Sequence, residues 1–345
     1  MVAITLASAR RTVQDPNVFL RRSLLVVCIA AAPATGCMSN DGAKDPGASS
    51  PDSGVTPQEA GTDGLPTPGP GPLRIVSWNT WNFFDTIKGN CQDCPYEQTL
   101  SASEYQSKVA GVADGLAQLD GDVVVLQEVE NDAVIDDIAS SAALAGHGYT
   151  VHQLLRGNDP RGVNIGVMSR YPIDAYISHK GDIFTRLDAP ATVYHYTRDV
   201  AEIHMTWGSN HVVILGVHFK SKASPDDPDR RVAEAQHTRQ IADAILAQDP
   251  SARLFIVGDF NDTPGTDTYA AVRDGQSGPT WENAMAAVPS ADRWSYEYNS
   301  QKQLIDQLFA SPTVAGTLDP TSAKILHDSS LASDHAPIAA TFVIP

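Results

Sequence analysis

Apolar runs along this chain close abruptly on polar groups. V-S-W-N ends at Asn79, V-V-V-L-Q-E at Glu128, L-G-V-H-F-K at His218 and Lys220, and F-I-V-G-D-F-N at Asp259 and Asn261, while S-D-H supplies Asp334 and His335. Burying so many ionisable and amide groups at strand ends is costly unless they meet a cation or one another. A fold that suits this sequence therefore brings those ends to one place, and a single cation-bearing cleft resolves the cost.

The runs predict the architecture. Residues 73–80 alternate and are rich in β-formers, and 122–126 form a continuous apolar stretch, the mark of a strand buried on both faces. Between them, 103–119 has helical spacing with Val109, Val112, Leu116 and Leu119 on one stripe, and Ser101 with Glu104 reads as its capping box. Further strands are expected at 163–168, 173–178, 200–205, 212–218, 254–257, 304–309 and 338–343, with a second long helix at 229–247. Many strands with few intervening helices point to two packed sheets with helices outside, not to a doubly wound parallel sheet. No internal repeat is visible.

The N-terminal part is of another kind. Arginines at 10, 11, 21 and 22 precede an apolar run over 24–32 and then Pro33-Ala34-Thr35-Gly36-Cys37, the order of a signal peptide covering 1–36. The run is too short for a membrane-spanning helix. Ala-Thr-Gly-Cys resembles a lipoprotein box, with Ala34 where leucine is usual, so the expectation is export and a lipid anchor at Cys37, or else secretion. Residues 37–72 are rich in Gly, Pro, Ser, Thr and Asp and read as a flexible stem. A catalytic domain is expected over 73–345. In an oxidising compartment Cys91 and Cys94 fit a local disulfide better than a metal site, because no second cysteine or histidine pair accompanies them.

Acidic residues outnumber basic ones 41 to 24, a net charge of −17, which excludes the broad basic field of a typical nucleic-acid binder. Phosphate binding would have to be local and assisted by metal. Carboxylate and amide oxygens without thiolates suit a hard cation, Mg2+ foremost with Mn2+ and Ca2+ also compatible, rather than zinc.

Taken together and in this order, the five motifs resemble the endonuclease/exonuclease/phosphatase superfamily over residues 73–345. The resemblance implies an α/β fold, a four-layer α/β/β/α sandwich of two packed mixed sheets with outer helices. It implies that Asn79, Glu128 and Asp334 hold the metal. It assigns Asp259 and Asn261 to orienting and deprotonating water, and His218 and His335 to the phosphoryl oxygens or leaving group. Asp306, in L-I-D-Q-L, matches the aspartate that pairs with the final histidine. Arg198 in Y-T-R-D and Lys220 are the expected phosphate contacts.

Blander readings stand beside these. His218 and Asp306 also suit an ordinary strand end and turn, Lys220 and Lys222 a solvated patch, and Glu130, Asp262, Trp78 and Trp81 packing or capping. H-F-K-S-K, Arg198 and the following D-R-R-V-A-E-A-Q resemble exported bacterial nucleases, so a nucleic-acid phosphodiester is the expected substrate, with no obligate protein partner evident. The alternative is a phosphatase or phosphodiesterase acting on lipid or inositol phosphate headgroups, which a membrane tether and an acidic surface suit. A non-catalytic binding module is disfavoured by the intact metal and water-positioning residues.

Overall fold

The computed structural model describes residues 66–89, 91, 94–222, 224, 227–276, 278–328 and 332–345. The expected signal peptide, Cys37 and the expected stem as far as residue 65 lie outside the described residues. In chain order the elements are β1 (Gly71–Phe83), α1 (Ala102–Leu119), β2 (Val123–Val129), α2 (Asp132–Ala139), β3 (Val151–Leu155), β4 (Asn164–Ser169), β5 (Ala175–Ser178), β6 (Phe184–Arg186), β7 (Ala189–Tyr194) and β8 (Val200–Trp207). They continue with β9 (Asn210–His218), α3 (Asp227–Gln248), β10 (Arg253–Asp259), α4 (Asp267–Asp274), β11 (Glu282–Asn283), β12 (Tyr296–Tyr298), β13 (Gln301–Gln303), β14 (Asp306–Ala310), β15 (Leu318–Ile325) and β16 (Ile338–Ile344).

Two six-stranded sheets form the frame, ordered β15-β16-β1-β2-β4-β3 and β11-β14-β10-β9-β8-β5. Each is mixed: β1 and β2 run parallel, as do β9 and β10, and their other neighbours are antiparallel. Three apolar clusters separate four layers. Ile75, Val125 and Val167 of the first sheet pack on Ile203, Ile214 and Val257 of the second. Val112, Leu116 and Ile138 of α1 and α2 cover the first sheet, and Ala233, Ala242 and Val272 of α3 and α4 cover the second. Burial of each such Val, Leu or Ile side chain stabilises the fold by roughly 1.5–3 kcal/mol. The sandwich expected from the strand-rich pattern is thus the one observed.

The predicted α1 begins one residue early, with the Ser101–Glu104 capping box formed in both directions. Cys91 and Cys94 are bonded. The strand expected at 304–309 starts only at Asp306, because Leu304 and Ile305 belong to the segment leading into it from β13. Neither α2 nor the short hairpins β6–β7 and β12–β13 were legible from periodicity, being eight residues or fewer per element.

A line of histidines and carboxylates crosses the outer face of the second sheet. His237 and His179 each lie 3.0 Å from Asp182, His179 Nε2 is 2.8 Å from Glu202, and His204 lies 2.5 Å from the other Glu202 oxygen. The line continues through His211 to Asp249. Burial alone would disfavour charge on His179, but Asp182 and Glu202 outweigh it and hold it up to about 9. A histidine raised on folding contributes stability that is full below its unfolded value and is lost as pH rises through the folded one. The melting temperature is therefore expected to fall by several degrees between about pH 7 and pH 9.5. In His179→Gln that slope should flatten, as calorimetry across this window would show, and an equal fall in both proteins would contradict the assignment.

Candidate active site

Register places three functional side chains abreast at one end of the second sheet. Asp259, the last residue of β10, pairs with His218 of β9 on one side and with Asp306 of β14 on the other. His218 Nε2 lies 3.4 Å from Asp259 Oδ2. Asp306 Oδ2 is 2.8 Å from His335 Nδ1, and His335 Nε2 turns back to within 4.0 Å of Asp259. Asn261, at φ 51° just beyond β10, donates its backbone N–H to Asp259 Oδ1 and its amide to Asp259 Oδ2.

The first sheet supplies the facing residues. Asn79 donates its amide to Asp259 Oδ2 at 2.9 Å. Glu128, next to last in β2, has φ 64°; one oxygen accepts Asn82 N–H and the other the Arg161 guanidinium. Among the described residues, Trp81, Asn82, Glu128 and Asn261 are four of the seven non-glycine residues with positive φ. Such conformations cost about 1–3 kcal/mol each and concentrate where function requires a particular side-chain direction.

A cationic group completes the cleft, whose volume is about 1170 Å³. Asp159 holds two arginines, Arg161 through Nε and Nη2 and Arg198 through Nε. Arg198 also donates to Phe219 O, at the end of β9. Lys220 pairs with Asp227 at 3.3 Å, and Lys222 with Asp262. Glu234 of α3 fixes both segments, accepting from Thr197 N–H and hydroxyl and from Lys220 N–H.

Environment separates the two histidines. Burial opposes charge on His335, yet Asp306, Asp259 and Asp334 hold it up to about 10, so it is an imidazolium at neutral pH. Burial, followed by the cations Arg198, Arg161, His335 and Lys220, pushes His218 well below its ordinary value, so it is neutral. Burial lifts Asp259 to about 7, with His335 opposing and Asp306 adding to the rise.

Asp259, Asp306 and His335 bring possible ligand atoms within 4.8 Å of one another. His335 Nδ1 is engaged by Asp306 at 2.8 Å and both Asp259 oxygens accept from Asn79 and Asn261, so this trio is already a hydrogen-bonded network. A hard cation is better served by Glu128 and Asp334 across the cleft, with Asn79 beside them. Burial raises the Asp334 carboxyl, with His335 opposing and Glu128 adding to the rise, and a divalent ion held by both carboxylates would relieve their repulsion. The donor set present thus fits the metal the sequence implies.

Every candidate residue named from the sequence borders the cleft or, in the case of Asp306, stands directly behind it. The reading missed Asp159 and Arg161, although two opposite charges two residues apart in the G-N-D-P-R-G turn are a signal of a braced loop. It also missed Lys108, whose ammonium is buried on the apolar stripe of α1, donates to Trp81 O and is lowered to about 8 by burial. Trp81, assigned there to packing, is 52 % exposed at the cleft edge.

Fold and site together define a two-sheet α/β sandwich with an acidic and histidine-bearing centre at the sheet ends. The chain belongs to the endonuclease/exonuclease/phosphatase family, whose model matches residues 74–331. This is a family of phosphoric ester hydrolases. No curated protein matches the chain by sequence. Its fold is similar to that of TDP2 from C. elegans, 20 % identical with a TM-score of 0.51 over 79 % of this chain and 75 % of that one. It is also similar to the human Nocturnin catalytic domain solved with a bound sulfate anion, 14 % identical with a TM-score of 0.53 over 79 % and 95 %. D. rerio TDP2, solved with a single strand DNA product, is 19 % identical with a TM-score of 0.51 over 79 % and 98 %.

Proposed function

We propose that this chain is an exported, divalent-metal-dependent phosphodiesterase that hydrolyses nucleic-acid phosphodiester bonds. The observation that carries the reading is the cationic side of the cleft. Arg161, Arg198, Lys220, Lys222 and Arg230 border the acidic and histidine centre in a chain of net charge −17. Cations gathered at one place on an acidic protein select an anionic substrate there. The DNA product seen with D. rerio TDP2 supports the same class of substrate.

In this mechanism Glu128, Asp334 and Asn79 would hold the metal, with Mg2+ the expected ion and Mn2+ or Ca2+ as substitutes. When bound, the metal would supply charge neutralisation at the phosphoryl group. Asp259, oriented by Asn79 and Asn261, takes the proton from the attacking water. His335, held by Asp306, presents a positive N–H donor to the phosphoryl oxygens or the leaving group, and His218 adds a neutral contact. Arg198 and Lys220 anchor the substrate phosphate.

The test is hydrolysis by purified protein of plasmid DNA, single-stranded DNA, RNA, sphingomyelin and inositol phosphates with each metal. Cleavage of nucleic acid is expected. Intact nucleic acid beside hydrolysed lipid or inositol headgroups would establish the alternative.

The reading of export rests on the leader-like segment and Cys37. Cells expressing the wild type should incorporate a fatty-acid analogue into the protein, and Cys37→Ser should not. Equal labelling of both would rule the anchor out.

A further inference from the structure

We propose that Trp81 and the pair Tyr296 and Tyr298 form a base-stacking wall, which makes single-stranded nucleic acid the preferred substrate. The proposal rests on the nuclease reading above and narrows it. Its first support is Trp81, which holds an indole 52 % exposed at the cleft while its backbone is left-handed at φ 52°. Two bonds keep it there, Trp81 N–H to Asn79 Oδ1 at 3.0 Å and the Lys108 ammonium to Trp81 O at 2.6 Å. A bulky residue in that conformation needs such enforcement, and although the Lys108 ammonium lies over the ring, 5.2 Å from its centroid, about half of Trp81 stays exposed beside the cleft.

The second support is the β12–β13 hairpin. Its turn residues Asn299 and Ser300 are both left-handed, at φ 49° and 61°, as a tight two-residue hairpin turn requires. The hairpin presents Tyr298, 59 % exposed, and Tyr296, whose ring is parallel to that of Tyr298 within 7° and lies 4.8 Å from His335. Tyr296 also bridges to His335 through the backbone. All three aromatics border the cleft.

The third support is that the aromatics and the cations border one cleft. Trp81 belongs to β1 of the first sheet, and the hairpin carrying Tyr296 and Tyr298 is bridged to His335 and runs on through Leu304 and Ile305 into β14 of the second. Arg198 precedes β8, Lys220 and Lys222 follow β9, and Arg230 stands on α3, while Arg161 stands between β3 and β4. A strand crossing the cleft can meet these cations with its phosphates and the aromatics with its unpaired bases. A duplex turns its bases inward and cannot reach the aromatic side, and a lipid or inositol headgroup has no base to stack. Each stacked base is worth a sequence-independent gain in binding.

The test compares kcat/KM on a single-stranded DNA oligonucleotide, on a strand of the same length built from abasic sites, and on the corresponding duplex, for full-length protein and the variants Trp81→Ala, Trp81→Phe and Tyr298→Ala. The wild type should prefer the base-bearing strand over both others by at least roughly 10-fold, the range expected of stacked bases. Trp81→Ala and Tyr298→Ala should each lower that preference several-fold, and Trp81→Phe, which keeps a ring, should retain most of it. Tyr298 is a surface residue, so its variant keeps the test open should Trp81→Ala fold poorly. A wild type that cuts the abasic strand or duplex as well as the base-bearing strand would overturn the stacking wall and leave the nuclease reading intact, as would variants that keep the full preference. Failure to cut any nucleic acid under metals that support headgroup hydrolysis would overturn both.

Discussion

Asp259→Asn is expected to lower kcat by at least about 100-fold, the usual consequence of removing a general base, and added metal should not restore it. The carboxylate stands at the buried end of β10, 1 % exposed, where Asn79 and Asn261 fix both of its oxygens. Burial raises its pKa to about 7, while His335, held up to about 10, keeps its proton through the neutral range. The base form of Asp259 exists above about pH 7 and the acid form of His335 below about pH 10. The wild-type profile of kcat/KM should therefore be a bell with limbs near those values, and the variant should lose the acid limb. Asparagine also replaces one acceptor oxygen with an NH2 donor that faces the donor groups of Asn79 or Asn261, so the melting curve must be recorded alongside. Full recovery at high metal, or an unchanged acid limb in the variant, would remove Asp259 from the role of base.

The frame and most of the centre were legible in the sequence because of where the central strands lie. β2, β9 and β10 are covered on both faces, so they read as unbroken apolar runs, and the polar residue that ends each run stands out. Register does the rest: once β9, β10 and β14 are neighbours, His218, Asp259 and Asp306 must share one level. Loop residues carry no such period. Asp159 braces Arg198 across 39 positions, and Glu234 joins Thr197 to Lys220 across 37 and 14; only the folded chain reveals those pairings. Arg198 and Lys220 were expected as phosphate contacts, and the structure adds that each arrives already paired with a carboxylate. The contrast between a charged His335 and a neutral His218 was equally hidden, since both end similar motifs and differ only in the charges around them.

Glu128→Gln should fail differently from Asp259→Asn, and that difference tests the division between holding a metal and activating water. Glu128 faces the cleft in a left-handed conformation that few glutamates adopt, with one oxygen on Asn82 N–H at 2.7 Å and the other on Arg161 at 3.0 Å. Glutamine can keep the bond to Asn82 but loses the charge that, with Asp334, attracts a cation. Arg161 retains Asp159, so the loop carrying it should stay in place. Loss of groups that merely orient metal ligands weakens metal binding by about 10–100-fold, and loss of a charged ligand should cost at least as much. Metal binding followed by calorimetry without substrate should weaken at least about 10-fold, and activity should return in part as metal is raised. An unchanged binding curve would place the metal elsewhere in the cleft. Should Glu128→Gln resist rescue while Asp259→Asn responds to it, the two carboxylates exchange roles, and the hydrogen bonds that fix Asp259 become those of a metal ligand rather than of a base.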